Sequence, residues 1–354
     1  ISVYDYRTKV FKYLKFERVT GVKGQYHNDL TSWIKYLNYL GYSVDDVTDL
    51  FIADGSGFSR FENFPYKHIR VDFLDHHLCH HYSTLNHSSM IIDAVGSSFD
   101  CFTLYKKHQP KTKLNAYRHS SLGRDLDQLW ETWFKDKKEN IETNIFGENM
   151  MYAGHTMALH AFGKDFSKHI LPPKYKLAKV NNKFKYIPNT WENFNQFKRK
   201  VEKGDDSFIK NSFVTSLHYY WYKKTRNHLK KVFSNKENFS VSGGVGHNIV
   251  LNTLLKKDFP NLEATPHCGD EGLSIGALIF GLSFRSILMD PCVSNAKQVI
   301  NDRIKKRIWF RPYGASVSKD SYEKYFDIPF ESPWMLYQSK VKDINKFANI
   351  THAD

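Results

Sequence analysis

The apolar positions of this chain recur with two periods, and the alternation between them sets the class of fold. Residues 1–4 and 12–16 read as the arms of a hairpin. Trp33, Ile34, Leu37 and Leu40 then recur at helical spacing over residues 31–40. Residues 49–53 form a short apolar run that reads as a buried strand, closed by the turn Asp54-Gly-Ser-Gly57. A second buried strand is predicted over 89–94, with Asp93, Gly96 and Ser97 at its C-terminal end and residues 101–105 returning as its hairpin partner. Residues 212–233 predict a long amphipathic helix. Phe213, Leu217, Tyr220, Trp221, Leu229 and Val232 make its apolar side, and the opposite side is basic. Strands alternating with helices in this way predict an α/β protein.

Composition narrows the picture. A chain of 354 residues is long enough for two domains, and 41% hydrophobic with 16% aromatic content is that of a globular protein. Cys79, Cys101, Cys268 and Cys292 are scattered without a Cys-x-x-Cys pair, which argues against a disulfide framework and a thiolate zinc site. That usage fits a reducing compartment, so a cytoplasmic location is expected, the host cytoplasm if the protein is viral. The longest apolar run, near residues 273–282, is about half of the roughly 20 residues a bilayer span needs, so no membrane association is expected. No signal peptide is visible, and the chain opens at Ile1 rather than Met.

The net charge of +14 changes the picture more. Such an excess steers polyanions, nucleotides and phosphorylated small molecules to the surface, although an AT-rich genome yields the same lysine-rich usage. Residues 164–203 hold eleven Lys or Arg against three acids, interleaved with Tyr175, Phe184, Tyr186, Trp191, Phe194 and Phe197. Base-stacking surfaces that track a nucleic-acid backbone are built from such residues. The ordinary alternative is a solvated excursion whose aromatics pack inward.

The densest chemistry lies in Asp75-His-His-Leu-Cys-His80. His76 and His80 stand four apart, so on a helix they project from one face, as a single divalent ion requires of two imidazoles. Asp270, in the Gly-flanked Cys268-Gly-Asp-Glu-Gly272, is a candidate third ligand. Nitrogen and carboxylate donors with open positions suit Fe(II), Zn or Mn. Between them, Ser242-Gly-Gly-Val-Gly-His-Asn248 follows a short apolar strand and precedes a helical stretch. Glycines at such a turn let backbone N–H groups approach an anion or a nucleotide.

This ordered set resembles the O-carbamoyltransferase family of the nodulation-factor, cephamycin and tobramycin enzymes. Phe16-Glu-Arg-Val-Thr-Gly-Val-Lys23 is similar to its early Glu-Arg…Lys element, and the His76/His80 stretch to its metal motif. Asp93-x-x-Gly96, Ser121-Leu-Gly123, Gly154-His-Thr-Met-Ala-Leu159 with Gly163, and the 242–248 and 269–272 turns resemble its nucleotide, middle and metal elements. Phe284-Arg-Ser-Ile-Leu-Met-Asp-Pro291, Asn301-Asp-Arg-Ile-Lys-Lys-Arg307, Phe310-Arg-Pro-Tyr313 and Thr351-His-Ala-Asp354 resemble its C-terminal motifs.

The resemblance implies an actin-like ATPase (ASKHA, threonylcarbamoyl-transferase-like) domain over residues 1–281, followed by a partial YrdC-like α/β domain over 282–354. It implies two steps. Carbamoyl phosphate and ATP, with Mg, first give a carbamoyl-adenylate; the carbamoyl group then passes to an acceptor hydroxyl. Lys305, Arg307 and Arg311, extended by Arg285, are expected to cradle the first step, since guanidinium forks bind phosphate oxygens bidentately. His76, His80 and Asp270 are expected to hold the metal, with Gly243, Gly244, Asn248 and Asp93 at the nucleotide. His77 is expected to act as general base on the acceptor or to orient its neighbours by hydrogen bonding.

The chain also departs from the family. The opening His-Asp phosphate motif does not precede Ile1, seven residues separate Gly276 from Phe284 where the family carries a long segment, and the lead-in to Arg285 is absent. Local differences are Ile308 for Glu, Gly314-Ala315 for Ala-Pro, and His155 for Lys. A set of ordered fragments of a longer protein is the expectation these departures raise. Three functions remain to be separated: transfer to a hydroxymethylated base in DNA, transfer to a sugar or other small natural product, and a non-catalytic nucleotide- or nucleic-acid-binding module. The oligomeric state is left open.

Overall fold

The computed structural model describes residues 1–8, 10–15, 30–53, 65–94, 96, 100–115, 122–134, 153–171, 175–180, 183–188, 190–201, 204–265 and 267–284. These divide into two compact units, one holding the described residues of 1–85 and 270–284, the other those of 86–269.

In the first unit, β1 (Ser2–Asp5) and β2 (Val10–Tyr13) pair antiparallel, as the hairpin reading expects. Helix α1 (Leu30–Tyr39) buries Tyr36, Leu37 and Tyr39. Strand β3 (Asp49–Ala53) runs parallel to β4 (Arg70–Leu74). The 49–53 strand is half-buried rather than buried, because among the described residues its sheet has only two strands. Helix α2 (His76–Ser83) follows directly, and α8 (Leu273–Phe284) comes from the far end of the described chain. The two helices cross at Gly276, where a Cβ would stand 1.7 Å from the Cys79 carbonyl oxygen. Only a residue without a side chain permits that approach. Around the crossing, Leu74, Cys79 and Ala277 are buried with Phe51, Leu273 and Phe280 packed against them. Burial pushes the Cys79 thiol up, so it packs as a neutral apolar group.

The second unit is built on a five-stranded sheet. Strand β5 (Ser89–Ile92) is central, parallel to β10 (Phe239–Ser242) and antiparallel to β6 (Asp100–Lys106). The outer strands are β11 (Leu262–Ala264), parallel to β10, and β7 (Gln109–Asn115), antiparallel to β6. A separate hairpin joins β8 (Tyr175–Val180) to β9 (Lys183–Pro188). Helices α3 (Leu122–Phe134), α4 (Ala153–Ala158), α5 (Thr190–Lys200), α6 (Asp206–Val232) and α7 (Ile249–Lys256) complete the unit. Its core joins Met90, Ile92, Leu104 and Val241 of the sheet to Leu126, Phe197, Phe213 and Leu255 of the helices.

The long helix begins six residues before its expected start. Asp205 caps it, its carboxylate accepting from the Phe208 N–H at 2.7 Å. Its middle, from Ser212 to His218, is buried on all sides, and the amphipathic pattern holds only beyond it. Phe194 and Phe197 of the basic segment pack into the core against Phe213, so these two aromatics are not a stacking surface. No helix among the described residues is long and apolar enough to cross a membrane.

Candidate functional site: a histidine–carboxylate triad and a glycine turn

Helix α2 is short, and its start is fixed by Asp75, whose carboxylate accepts from the Leu78 N–H at 2.9 Å. That cap sets the register of the four histidines behind it, His76, His77, His80 and His81, all buried. His76 and His80 share a face, as their spacing requires. Their Nε2 atoms lie 3.1 Å apart, one ring donating to the other. Asp270 opens the single turn Asp270–Gly272 that leads into α8, and its Oδ1 lies 3.5 Å from each of these nitrogens. The triad is therefore assembled by the α2/α8 crossing, with Tyr13 Oη donating to the Glu271 carbonyl at 3.1 Å and steadying the turn.

These distances test whether a metal fits. Metal–nitrogen bonds of about 2.0–2.1 Å place two ligand atoms about 2.9 Å apart at right angles and about 3.4 Å apart at a tetrahedral angle. Of the triad's edges, 3.1 Å falls inside that range and the two of 3.5 Å lie just above its tetrahedral end. The side chain of His80 is fully buried, whereas that of Asp270 is 53% exposed. Two imidazole nitrogens thus sit at the base of a site that opens on its carboxylate side. A first-row divalent ion suits this donor set. His77 is buried, its ring centre 6.1 Å from that of His76.

The glycine turn lies in the second unit, at the C-terminal end of β10. Gly243 takes φ +97°, and a Cβ there would meet the Ile92 carbonyl oxygen at 2.3 Å. The turn is pinned by two backbone donors. Gly243 N–H gives to the Cys268 carbonyl at 2.7 Å, and Gly244 N–H to Asp93 Oδ1 at 2.9 Å. Asp93 is buried at the end of β5, so the adjacent parallel strands β5 and β10 bring the two nucleotide candidates together. Asn248 caps α7, accepting from the Leu251 N–H at 2.8 Å, and its amide nitrogen lies 3.1 Å from His218 Nε2. Nδ1 of His218 lies 2.8 Å from the Val214 carbonyl, which can only accept, so Nδ1 carries the proton and Nε2 accepts from Asn248. Burial lowers the His218 pKa to about 4 and keeps the ring neutral.

Sequence reasoning did not find the Asn248–His218 pair, since thirty positions separate the two and no local pattern links them. The Asp75 cap had a signal, an Asp immediately before a helical histidine pair. Arg285, Lys305, Arg307 and Arg311 lie outside the described residues.

Comparison with known proteins finds one family model that matches part of the chain. Residues 279–354 match the model of the carbamoyltransferase C-terminus. No curated protein matches the chain. Among solved structures, that of HypF from T.kodakarensis is similar over 66% of this chain and 40% of that one, with 15% identity and a TM-score of 0.41. The chain thus spans less than half the length of that protein.

Proposed function

We propose that the protein is an ATP-dependent O-carbamoyltransferase that takes its carbamoyl group from carbamoyl phosphate through a carbamoyl-adenylate. The match of residues 279–354 to the carbamoyltransferase C-terminus carries this reading. In the proposed scheme Lys305, Arg307, Arg311 and Arg285 bind the phosphates of the activation step, in which carbamoyl phosphate gives up inorganic phosphate and ATP gives up pyrophosphate as the carbamoyl-adenylate forms. Point charges and guanidinium forks stabilise the negative charge that builds up there.

The second step is ascribed to the triad. His76, His80 and Asp270 would hold a divalent ion, Fe(II), Zn or Mn, which when bound supplies Lewis acidity and fixes an anionic oxygen. The acceptor hydroxyl attacks the carbamoyl carbon, its proton passes to a base, and AMP leaves with the bonding electron pair. His77 is assigned that proton or the orientation of the neighbouring rings. The turn Gly243–Gly244, with Asp93 and Asn248 behind it, is assigned the nucleotide.

For the acceptor we favour a hydroxymethylated base in DNA, on the strength of the +14 net charge. The test is a transfer assay with full-length protein, ATP and carbamoyl phosphate, offering hydroxymethylcytosine-containing DNA and an aminoglycoside together. A carbamoyl mass gain on the nucleoside supports the DNA reading, and transfer to the aminoglycoside alone replaces it with a small-molecule acceptor. Absence of carbamoyl-phosphate-dependent AMP formation would overturn the assignment as a whole.

A further inference from the structure

Exposed lysines follow one face of α6 and the segment packed along it, and nothing in the proposed chemistry uses them. Ser212, Ser216, Lys223 and Lys230 are 4, 11 and 18 positions from the first, so they stack on a single stripe of the helix. The segment 164–169 is strapped along the first half of that stripe. Lys164 N–H donates to Ser212 Oγ at 3.1 Å, Phe166 N–H to Ser216 Oγ at 2.8 Å, and Lys223 Nζ to Ser167 Oγ at 3.0 Å. Lys164 and Lys168 of the strap are exposed, and so are Lys223 and Lys230 beyond it. From Ser212 to Lys230 the stripe is about 27 Å long at 1.5 Å per residue.

Two carboxylates temper this charge. Asp165 is exposed in the strap. Asp258 accepts from Arg226 Nε at 2.7 Å and from the Tyr222 hydroxyl, and stands 3.6 Å from Lys230. The line remains cationic, with Lys223 bonded only to a neutral hydroxyl among the contacts described.

The geometry points to this stripe as a docking track for the phosphate backbone of DNA, an inference that rests on the DNA-acceptor reading above. A nucleotide or carbamoyl phosphate needs a compact cradle. A row of about 27 Å matches a rod-like polyanion instead, the length of roughly eight base pairs measured along a duplex axis at about 3.4 Å each. Its cations sit on a rigid helix and on a strap tied to it by backbone donors, so their spacing is held before the partner arrives. Contacts of this kind position a duplex without reading its sequence, as an enzyme that modifies a base in many contexts requires.

The test uses full-length protein and a hydroxymethylcytosine-containing duplex, with binding measured across a range of salt. The triple variant Lys168→Glu, Lys223→Glu, Lys230→Glu is compared with a control reversal at exposed lysines elsewhere in the same unit, Lys107→Glu, Lys256→Glu, Lys257→Glu. The track variant is expected to lose at least about tenfold in affinity, and its log–log salt slope is expected to fall by about 0.9 per lost phosphate contact. Carbamoyl-phosphate-dependent release of pyrophosphate from ATP, the activation step that needs no DNA, stays at the wild-type rate. Equal losses in both variants would assign binding to net charge and overturn the track. Tighter binding of polyglutamate than of DNA would overturn the nucleic-acid partner. AMP formation without DNA binding by the wild type overturns the track while leaving carbamoyl activation standing. DNA binding lost only in the track variant, without AMP formation, supports the track and removes the activity reading.

Discussion

Two sets of buried histidines in this protein have opposite wiring. His218 is enclosed by α6 and the start of α7, and each ring nitrogen meets one protein partner, the Val214 carbonyl and the Asn248 amide. His76 and His80 are buried too, yet their Nε2 atoms point at each other and at a half-exposed carboxylate. Burial alone therefore says little about what a histidine does. A ring with a carbonyl on one side and an amide donor on the other is a neutral strut. Two rings and Asp270, with ligand atoms converging within 4.8 Å, are a group that could hold a cation.

The comparison breaks most sharply if the converging pair is dispensable. His76→Ala should remove bound divalent metal and lower carbamoyl transfer by more than the roughly 10–100-fold typical of residues that only orient a ligand. Elemental analysis of the purified variant and the transfer assay read the two effects, while circular dichroism should remain native. A variant with full activity would end the metal role.

Gly276→Ala comes next, because it strikes the crossing that brings Asp270 to the histidines. Its Cβ would stand 1.7 Å from the Cys79 carbonyl, a contact that must be relieved by separating α2 and α8. The expected cost is about 3 kcal/mol or more by urea unfolding, within the range of severe core overpacking. Metal retention should fall with it, since the triad depends on the same crossing.

The strut makes a different prediction, about pH. The His218 pKa is lowered from about 6.5 to about 4 by burial, so between those values the unfolded chain binds a proton that the native chain does not. Stability then falls as pH drops from about 6.5 to about 4, by up to about 3 kcal/mol at about 1.4 kcal/mol per unit. His218→Gln should flatten the unfolding free energy over that window. An unchanged slope would show that His218 is not held neutral.

Asp75→Ala is the mildest test. Loss of the α2 cap should cost about 1 kcal/mol by thermal or urea unfolding. Metal affinity should weaken only modestly, because the histidines keep their spacing while the helix start frays. Loss as large as that of His76→Ala would mean the cap, and not the pair, holds the site.

Local pattern was enough for a good part of this protein. The hairpin, the first helix, the strand at 49–53, the strand expected over 89–94 and found over 89–92, and the long helix follow from short apolar runs and period-3.6 spacing, which side-chain burial imposes one element at a time. The i, i+4 relation of His76 and His80 followed too, since one turn of helix dictates it. Other features are set by neighbours distant in the chain. Asp270 joins the histidines only because Gly276 lets α8 approach α2, and Asp93 reaches Gly244 only because β5 and β10 are adjacent and parallel. The inward turn of Phe194 and Phe197 was one of two outcomes their sequence allowed, decided by the space beside Phe213. The pairing of His218 with Asn248 has no trace in local spacing at all, because a hydrogen bond between two helices is written in how they pack.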